Sequence, residues 1–146
     1  MTAFTHPAMA AARAAGIPIF TGTACCFDVV AQDGLSVSRA AVVEALPAFW
    51  ARGAAIHEMH RAQPVGRVLS TTVTAEGLQI SFYISNDNAR ARVENRCYRG
   101  LSLGFAFNRA RDVQGHNLVG LDIEEVSLCP VPSCVGSLIV FTESFS

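Results

Sequence analysis

The stretch Tyr98-Arg99-Gly100-Leu101-Ser102-Leu103-Gly104-Phe105 alternates as a β-strand does. This predicted strand is the strongest indication of the fold. Successive side chains of a strand point to opposite faces of a sheet. One face of this strand is apolar and is expected to join a core: Leu101, Leu103, Phe105 and Phe107. The other face is small or polar: Ser102, Gly104, Ala106 and Asn108. This second face leaves room for a substrate backbone beside the Ser102 hydroxyl. The alternative on this pattern is a strand serine that packs under a neighbouring element.

A histidine and a carboxylate lie on either side of this serine in the chain. His60 is 42 positions before Ser102, and Glu125 is 23 positions after it. Serine, imidazole and carboxylate are the parts of a nucleophilic hydrolase, which is recognised by the roles of its residues and not by their order. All 11 basic residues are arginine. The absence of lysine excludes a Ser-Lys dyad, a Schiff-base lysine and a P-loop lysine, so the base for a nucleophilic serine has to be histidine.

Two histidines compete for the role of base. If residues 54–61 are extended, His57 and His60 point to opposite faces, and only one of them can share a site with Ser102. His60 precedes Gln63-Pro64-Val65-Gly66, where proline and glycine restrict the chain just before a strand. On a helix the two histidines could share a metal ion, but no third ligand stands at the required spacing, so no metal site is expected. His6 and His116 are expected to be exposed.

The predicted strand Leu121–Leu128 supplies the candidate acid. Its alternation places Glu125 on one face with Leu121, Ile123 and Ser127. A carboxylate that is shielded among aliphatic side chains has to be paired or hydrogen-bonded. It is therefore either the orienting acid of a triad or one end of a salt bridge to arginine. Glu124 lies on the other face beside Asp122 and is expected to be solvated.

The five cysteines include no Cys-x-x-Cys pair and leave one over in any pairing, which does not favour a secreted disulfide scaffold. A reducing, intracellular setting is expected. Cys97, five residues before Ser102, is an alternative nucleophile. It also falls on the apolar stripe of a predicted short helix, so we expect it to lie in the core together with Cys25 and Cys129.

Length and composition predict one globular domain. The chain has 146 residues, of which 51% are hydrophobic and 16% charged, with a net charge of −1. That charge gives no footprint for nucleic acid or an anionic membrane. No apolar run approaches the roughly 20 residues of a membrane helix. Residues 1–18 are expected to be a flexible or weakly helical arm, and residues 19–146 a single domain.

The remaining pattern predicts an α+β, mainly β fold. The predicted strands are Ile17–Val30, Val65–Thr74, Leu78–Ile84, Leu101–Asn108, Leu121–Leu128 and Ser137–Phe141, with turns at Asp33-Gly34 and Glu76-Gly77 and a break at Pro130 and Pro132. Ser38 is expected to cap a helix that runs to Trp50, with Pro47 kinking or shortening it. Asn86 or Asp87 caps a second, short helix. The sum favours a closed or nearly closed β-barrel flanked by a few helices.

Taken together, these segments resemble the prohead (procapsid maturation) serine protease family of tailed bacteriophages, which is similar in fold to herpesvirus assemblin. The likeness runs from about Ile19 to Phe141. Its parts are an entry segment at Phe20–Asp33, Met59-His60 with Val65-Gly66 soon after, a Gly-x-Ser-x-Gly-Phe strand at Gly100–Phe105, and a Glu-x-Ser-Leu strand with a proline turn at Glu125–Pro132. The chain departs from the commoner Pro-Ala-Asn pattern, with Pro130-Val131-Pro132-Ser133 after that last strand.

The resemblance implies a role for each candidate residue. Ser102 is the nucleophile and His60 the general base. The third member is an acid in some relatives and a histidine in others; it is placed at Glu125, with His116 and Glu124 as the other candidates. No cofactor is implied.

The resemblance also implies a biological role. Through an acyl-enzyme, the protease would cleave scaffold and major capsid protein segments inside the assembling prohead, in the host bacterial cytoplasm. Since the chain carries no long coiled-coil extension, the substrate is expected to be a separate protein, with the portal and further copies of this chain as other candidate partners. The alternative is a catalytically inactive capsid-assembly or scaffolding module of the same fold.

Overall fold

The computed structural model describes residues 2–31, 34–131 and 139–143, which form a mainly β protein with four helices. The strands are β1 (Thr2–Thr5), β2 (Ile19–Cys26), β3 (Ser36–Val37), β4 (Ala55–Glu58), β5 (Pro64–Val73), β6 (Gly77–Ile84), β7 (Gly100–Ala106), β8 (Val113–Gln114), β9 (Asn117–Leu118), β10 (Asp122–Cys129) and β11 (Val140–Glu143). The helices are α1 (Ala8–Ala14), α2 (Arg39–Ala51), α3 (Asp87–Glu94) and α4 (Arg109–Asp112).

The main sheet is a curled half-barrel. Its strands run in the order β11-β2-β6-β5-β4-β10-β7, and β1 pairs separately with β5. The prediction of a closed or nearly closed barrel is met only in part, because the barrel is not closed: β2 comes close to β7, but within the described residues no backbone ladder joins the two or links β7 to β11. The sheet is antiparallel except where β4 and β10 run parallel. This pair brings the chain that leads to His60 alongside the strand that carries Glu125.

The predicted helix caps are present. The Ser38 hydroxyl accepts a hydrogen bond from the backbone N–H of Ala41 at 3.2 Å, and the Asn86 side chain accepts one from Ala89 at 2.9 Å. Each satisfies one of the N–H groups that a helix start leaves without a partner. Pro47 lies inside α2, which nevertheless continues to Ala51. The buried face of α2 packs into the core formed by the half-barrel.

The predicted hairpin of β5 and β6 is also confirmed. Val73 pairs with Leu78 across the turn. The Thr74 hydroxyl accepts from the backbone N–H groups of Glu76 and Gly77 at 3.2 and 3.1 Å, so the turn is held by its own residues. Leu78, Ile80, Phe82 and Ile84 are all buried, as their alternation predicted.

The N-terminal residues, predicted as a flexible or weakly helical arm, form β1 and α1 against the sheet. β1 pairs with β5 in antiparallel register. α1 buries Met9 and Ala12 in a small apolar cluster with Ile19 and Leu69. His6 is half-buried and stacks on Trp50 with ring centroids 5.8 Å apart, so its predicted exposure is wrong.

A small sheet of β3, β9 and β8 was not predicted. Asp112 ends α4 just before this sheet, and its carboxylate accepts hydrogen bonds from the Arg111 guanidinium at 2.8 and 2.9 Å and from the backbone N–H of Asn108 at 2.7 Å. These bonds favour the charged form, so they lower the pKa of Asp112 to about 2. Asp112 precedes β10 in the chain and is not one of the residues of the candidate active site.

Two of the three cysteines expected in the core, Cys97 and Cys129, are not fully buried, and Cys129 is only half-buried. Cys97 is exposed because α3 ends at Glu94, before its apolar stripe reaches that residue, and Tyr98 is buried instead. Cys26 is disulfide-bonded. Cys25 is in the core as predicted, and burial raises the pKa of its thiol to about 12.

Asp33, Pro132 and the start of the last predicted strand at Ser137 lie outside the described residues. None of the helices in the described ranges is long and apolar enough to span a membrane.

Candidate active site

Ser102 lies on β7, one edge of the ladder order, and its strand has the two faces that the sequence predicted. Leu101 and Leu103 are buried in the core. Ser102 is half-buried on the opposite face, where its hydroxyl is accessible. The serine is therefore anchored by the core through its neighbours while its own oxygen faces outward.

His60 sits on a tight turn and not on an extended strand. β4 ends at Glu58, and the backbone N–H of Arg61 donates to the Glu58 carbonyl at 2.9 Å. Between them, Met59 and His60 have φ values of 49° and 59°. Residues other than glycine lose about 1–2 kcal/mol each in this left-handed region. Unfavourable conformations of this kind persist only where surrounding contacts enforce them, and they concentrate at functional sites.

The contacts that enforce the turn come from two neighbouring elements. The backbone N–H of Met59 donates to the Leu128 carbonyl of β10 at 3.0 Å. The Glu58 carboxylate, only partly exposed, accepts from the Tyr98 hydroxyl and from the Arg92 guanidinium, each at 2.7 Å. Burial and then the bond to Glu58 raise the pKa of Tyr98, which keeps its hydroxyl a donor. The turn is thus fixed on both sides before His60 is reached.

A β-bulge sets the position of Glu125. Ile123 pairs with Phe105 and Glu125 pairs with the next residue, Gly104, so Glu124 is the extra residue. Paired residues share a sheet face. Ile123 therefore faces the core, whereas Glu125 faces the site. The predicted shielding of Glu125 is confirmed at 9% exposure, but the predicted shared face with Ile123 is wrong because the bulge reverses the alternation.

Ser102, His60 and Glu125 form one hydrogen-bonded chain. The Ser102 Oγ lies 3.1 Å from His60 Nε2, and His60 Nδ1 lies 2.5 Å from Glu125 Oε1. A carboxylate only accepts, so Nδ1 carries the proton and Nε2 is free to accept from the serine hydroxyl. The His60 side chain is 46% exposed and that of Glu125 11% exposed. The exposed end of this hydrogen-bonded chain, at His60 and Ser102, is the end that a substrate would contact.

Sequence reasoning did not single out Ser127, which extends this chain. Its hydroxyl donates to Glu125 Oε2 at 2.5 Å and accepts from the backbone N–H of His60 at 2.9 Å. The signal was the spacing of two in Glu125-Val126-Ser127, which puts a hydroxyl beside the carboxylate on one face of a strand.

Gly104 makes room for the carboxylate. A Cβ on this residue would lie 1.9 Å from Glu125 Oε1, far inside van der Waals contact. The small face of β7 predicted from the sequence is therefore partly occupied by Glu125. Only glycine at this position leaves the carboxylate free to reach His60.

Both His57 and His60 line one cleft, and of the two only His60 bonds to Ser102 in the part of the chain that the structure describes. Residues 54–61 are not extended throughout, because β4 ends at Glu58 and the positive φ values of Met59 and His60 end the alternation. The His57 Nδ1 bonds to the Arg61 carbonyl at 2.5 Å. That bond spans the turn, whereas His60 bonds to Ser102 and Glu125.

The other candidates lie apart from the chain of hydrogen bonds. His116 is exposed in the turn between β8 and β9. Glu124 is exposed and lines the cleft near His60 without bonding to its ring within the described residues. Cys129 is half-buried, and burial followed by the charge of Glu125 raises the pKa of its thiol. No described arginine pairs with Glu125.

Two cavities lie at the candidate site, one beside His60 and Glu125 and the other lined by Ser102. A cleft of about 490 Å³ is lined by polar groups that include His57, His60 and Glu125. A second pocket of about 210 Å³ opens at Ser102 and lies between β2 and β7, where the half-barrel does not close. Its walls are mostly apolar: Val29, Val30, Leu35, Val37, Leu103 and Leu118. Across the described ranges there is no cluster of three or more His, Cys, Asp or Glu side chains suited to a metal ion.

The fold matches solved structures of a herpesvirus protease. The protease of Kaposi's sarcoma herpesvirus in complex with a hexapeptide phosphonate inhibitor is 15% identical, with a TM-score of 0.62; the match covers 87% of this chain and 66% of that one. The same virus's protease in complex with an allosteric inhibitor is 13% identical, with a TM-score of 0.54, covering 87% and 78%. No family model and no curated protein matches the chain. The likeness establishes a shared fold.

Proposed function

We propose that this protein is a serine endopeptidase in which Ser102 is the nucleophile, His60 the general base and Glu125 the orienting acid. The observation that carries the proposal is the continuous chain from the Ser102 hydroxyl through the His60 ring to the Glu125 carboxylate, with distances of 3.1 and 2.5 Å. The herpesvirus protease fold supports it independently. Such a constellation is identified by geometry and by the role of each group.

The reaction follows from the hydrogen-bond roles of the three residues: Ser102 donates to His60, and His60 donates to Glu125. The Ser102 oxygen attacks the scissile carbonyl carbon and its proton moves to His60 Nε2. The imidazolium, stabilised by Glu125, then gives that proton to the amine as the C–N bond breaks, leaving an acyl-serine. Water, deprotonated by His60, attacks the ester and releases the carboxylic acid with Ser102 regenerated. Glu125 stays ionised throughout and holds the ring by Nδ1–H.

We propose further that the substrates are scaffold and major capsid protein segments in an assembling prohead. The support is the resemblance of the His60, Ser102 and Glu125 segments to tailed-phage prohead proteases, together with the viral protease fold. The apolar pocket beside Ser102 would receive an aliphatic side chain of the cleaved segment.

A fluorophosphonate probe tests the chemistry without knowledge of the substrate. It phosphonylates an activated serine, and peptide mapping then identifies the residue. We expect labelling at Ser102 that is lost in Ser102→Ala and in protein unfolded by urea. A folded protein that the probe does not label would contradict the serine mechanism. Thiol alkylation should leave labelling intact, whereas loss of labelling would favour a role for a cysteine.

Co-expression tests the biological role. The chain and a candidate major capsid protein are produced together, and the capsid protein is sized and its N-terminus sequenced. A shortened capsid protein with the active chain, and an intact one with Ser102→Ala, would support maturation proteolysis. An intact capsid protein in both cases would favour the inactive assembly module.

A further inference from the structure

Ser127 is a buried hydroxyl that the proposed mechanism does not use. It is fully buried. It lies on β10, opposite His57 of β4 on one side and Ser102 of β7 on the other. Because it is shielded from solvent, it is not available to attack a substrate. Its influence on the site therefore has to pass through the groups to which it bonds.

Those bonds reach both partners whose relative position determines the reactivity of Ser102. The Ser127 hydroxyl accepts from the His60 backbone N–H at 2.9 Å and donates to Glu125 Oε2 at 2.5 Å. The first bond fixes the backbone of a residue in a left-handed conformation. The second holds the carboxylate by the oxygen that the His60 ring does not use. The Ser127 side chain thus links the backbone of His60 to the carboxylate of Glu125.

We infer that Ser127 is a positioning residue for the Ser102–His60–Glu125 chain, an inference that rests on the proposed function. Without its hydroxyl, the Glu125 carboxylate loses a donor and can rotate, and the His60 turn loses one of its fixed points. A displacement of about 1 Å at a reacting group costs on the order of 100-fold in rate. Ser127→Ala is expected to slow reaction at Ser102 by roughly 10- to 100-fold without abolishing it.

The first measurement is the rate constant for labelling by a fluorophosphonate probe, expressed per folded molecule. Ser127→Thr retains a hydroxyl and should recover part of the rate lost in Ser127→Ala. Ser36→Ala is the matched control, since Ser36 is also buried and bonds to Asn117 at 2.5 Å in the small sheet. It should label at the wild-type rate whatever its effect on stability. A wild-type rate in Ser127→Ala would overturn the inference.

The second measurement is independent of reactivity. The proton shared between His60 Nδ1 and Glu125 should give a far-downfield proton NMR resonance, assigned by its loss in His60→Ala. We expect that resonance to shift or broaden in Ser127→Ala and to persist in Ser36→Ala. If wild-type protein is not labelled, the proposed function fails, and the resonance decides the positioning role alone. An unchanged resonance in Ser127→Ala would then overturn it.

Discussion

Glu125 lies directly opposite Gly104 in the ladder between β10 and β7, and its carboxylate occupies the space that a Cβ of Gly104 would fill. The Glu125 carboxylate thus lies against the strand that carries Ser102 while it bonds to His60. Two residues on the same face of β7, Ser102 and Gly104, therefore have distinct roles in the site. Ser102 provides the hydroxyl. Gly104, two positions later, has no side chain and so leaves room for the Glu125 carboxylate.

Gly104→Ala should impair labelling of Ser102 more than it impairs folding. The added methyl would lie 1.9 Å from Glu125 Oε1, so the carboxylate has to move away from His60. Gly120→Ala is the matched control, because its Cβ would lie 2.6 Å from the Asp112 carboxylate, which is outside the site. The control should lose stability and keep its rate per folded molecule. Equal rates for the two variants would argue against a role for the Glu125 position.

Ser102→Ala should abolish labelling and cleavage while the free energy of unfolding stays within about 0.5 kcal/mol of the wild type. The residue is half-buried, and its hydroxyl bonds to an exposed histidine ring. Its removal therefore leaves no buried polar group without a partner. Urea titration gives the stability, and intact mass gives the labelling. Residual cleavage of a substrate by the folded variant would rule out Ser102 as the nucleophile.

His60→Ala should lower the labelling rate by at least about a thousand-fold, since no lysine exists to replace it as base. His57→Ala should change that rate only a few-fold. The His57 ring bonds to the Arg61 carbonyl across the turn and does not bond to Ser102 within the described residues. Both variants are compared at equal folded concentration. A stronger defect in His57→Ala than in His60→Ala would reverse the assignment of the base.

Glu125→Gln should lower turnover by about 100- to 10,000-fold, less than the loss of Ser102. The amide keeps the shape of the side chain but lacks the charge that stabilises imidazolium. Glu124→Gln and His116→Ala serve as controls, because both residues are exposed and lie outside the hydrogen-bonded chain. Melting temperature and rate are measured together. A lower melting temperature with a normal rate would make Glu125 structural, and loss of rate in His116→Ala alone would assign the third role to histidine.

Asp112→Asn should destabilise the protein at neutral pH but not in strong acid. The Arg111 guanidinium and the Asn108 N–H hold the folded pKa of Asp112 near 2, below its ordinary value of 3.8. A lowered folded pKa adds stability that is present above the unfolded pKa and is lost as pH falls through the folded one. The difference in melting temperature between variant and wild type should therefore shrink between pH 4 and pH 2. A constant difference would contradict the ion pair.

Much of the site followed from local sequence patterns. Strict alternation predicted the two faces of the Ser102 strand, and the caps at Ser38 and Asn86 were evident because their side chains bond within one helical turn. These features depend on neighbours in the chain. The carboxylate at Glu125 was identified on a face that the structure then reassigned.

The features that escaped prediction depend on contacts between distant segments. The bulge at Glu124 is an offset between two strands, and one strand's sequence does not encode its partner's register. Met59 and His60 have no preference for positive φ; the hydrogen bonds that their backbone N–H groups donate to the Leu128 carbonyl and the Ser127 hydroxyl impose it. Cys97 lies outside the predicted core because α3 ends at Glu94, about one turn before it. The open side of the barrel likewise depends on how β2 meets β7.

The turn at Met59 and His60 bears on how this protein would respond to selection. Glycine at position 59 would relieve about 1–2 kcal/mol, a sizeable share of the 5–15 kcal/mol that stabilises a typical domain. Selection for heat resistance alone would therefore favour Met59→Gly. Glycine would also widen the range of backbone conformations next to the base, so selection for turnover would retain methionine. At position 59, selection for thermal stability and selection for reactivity would therefore favour different residues.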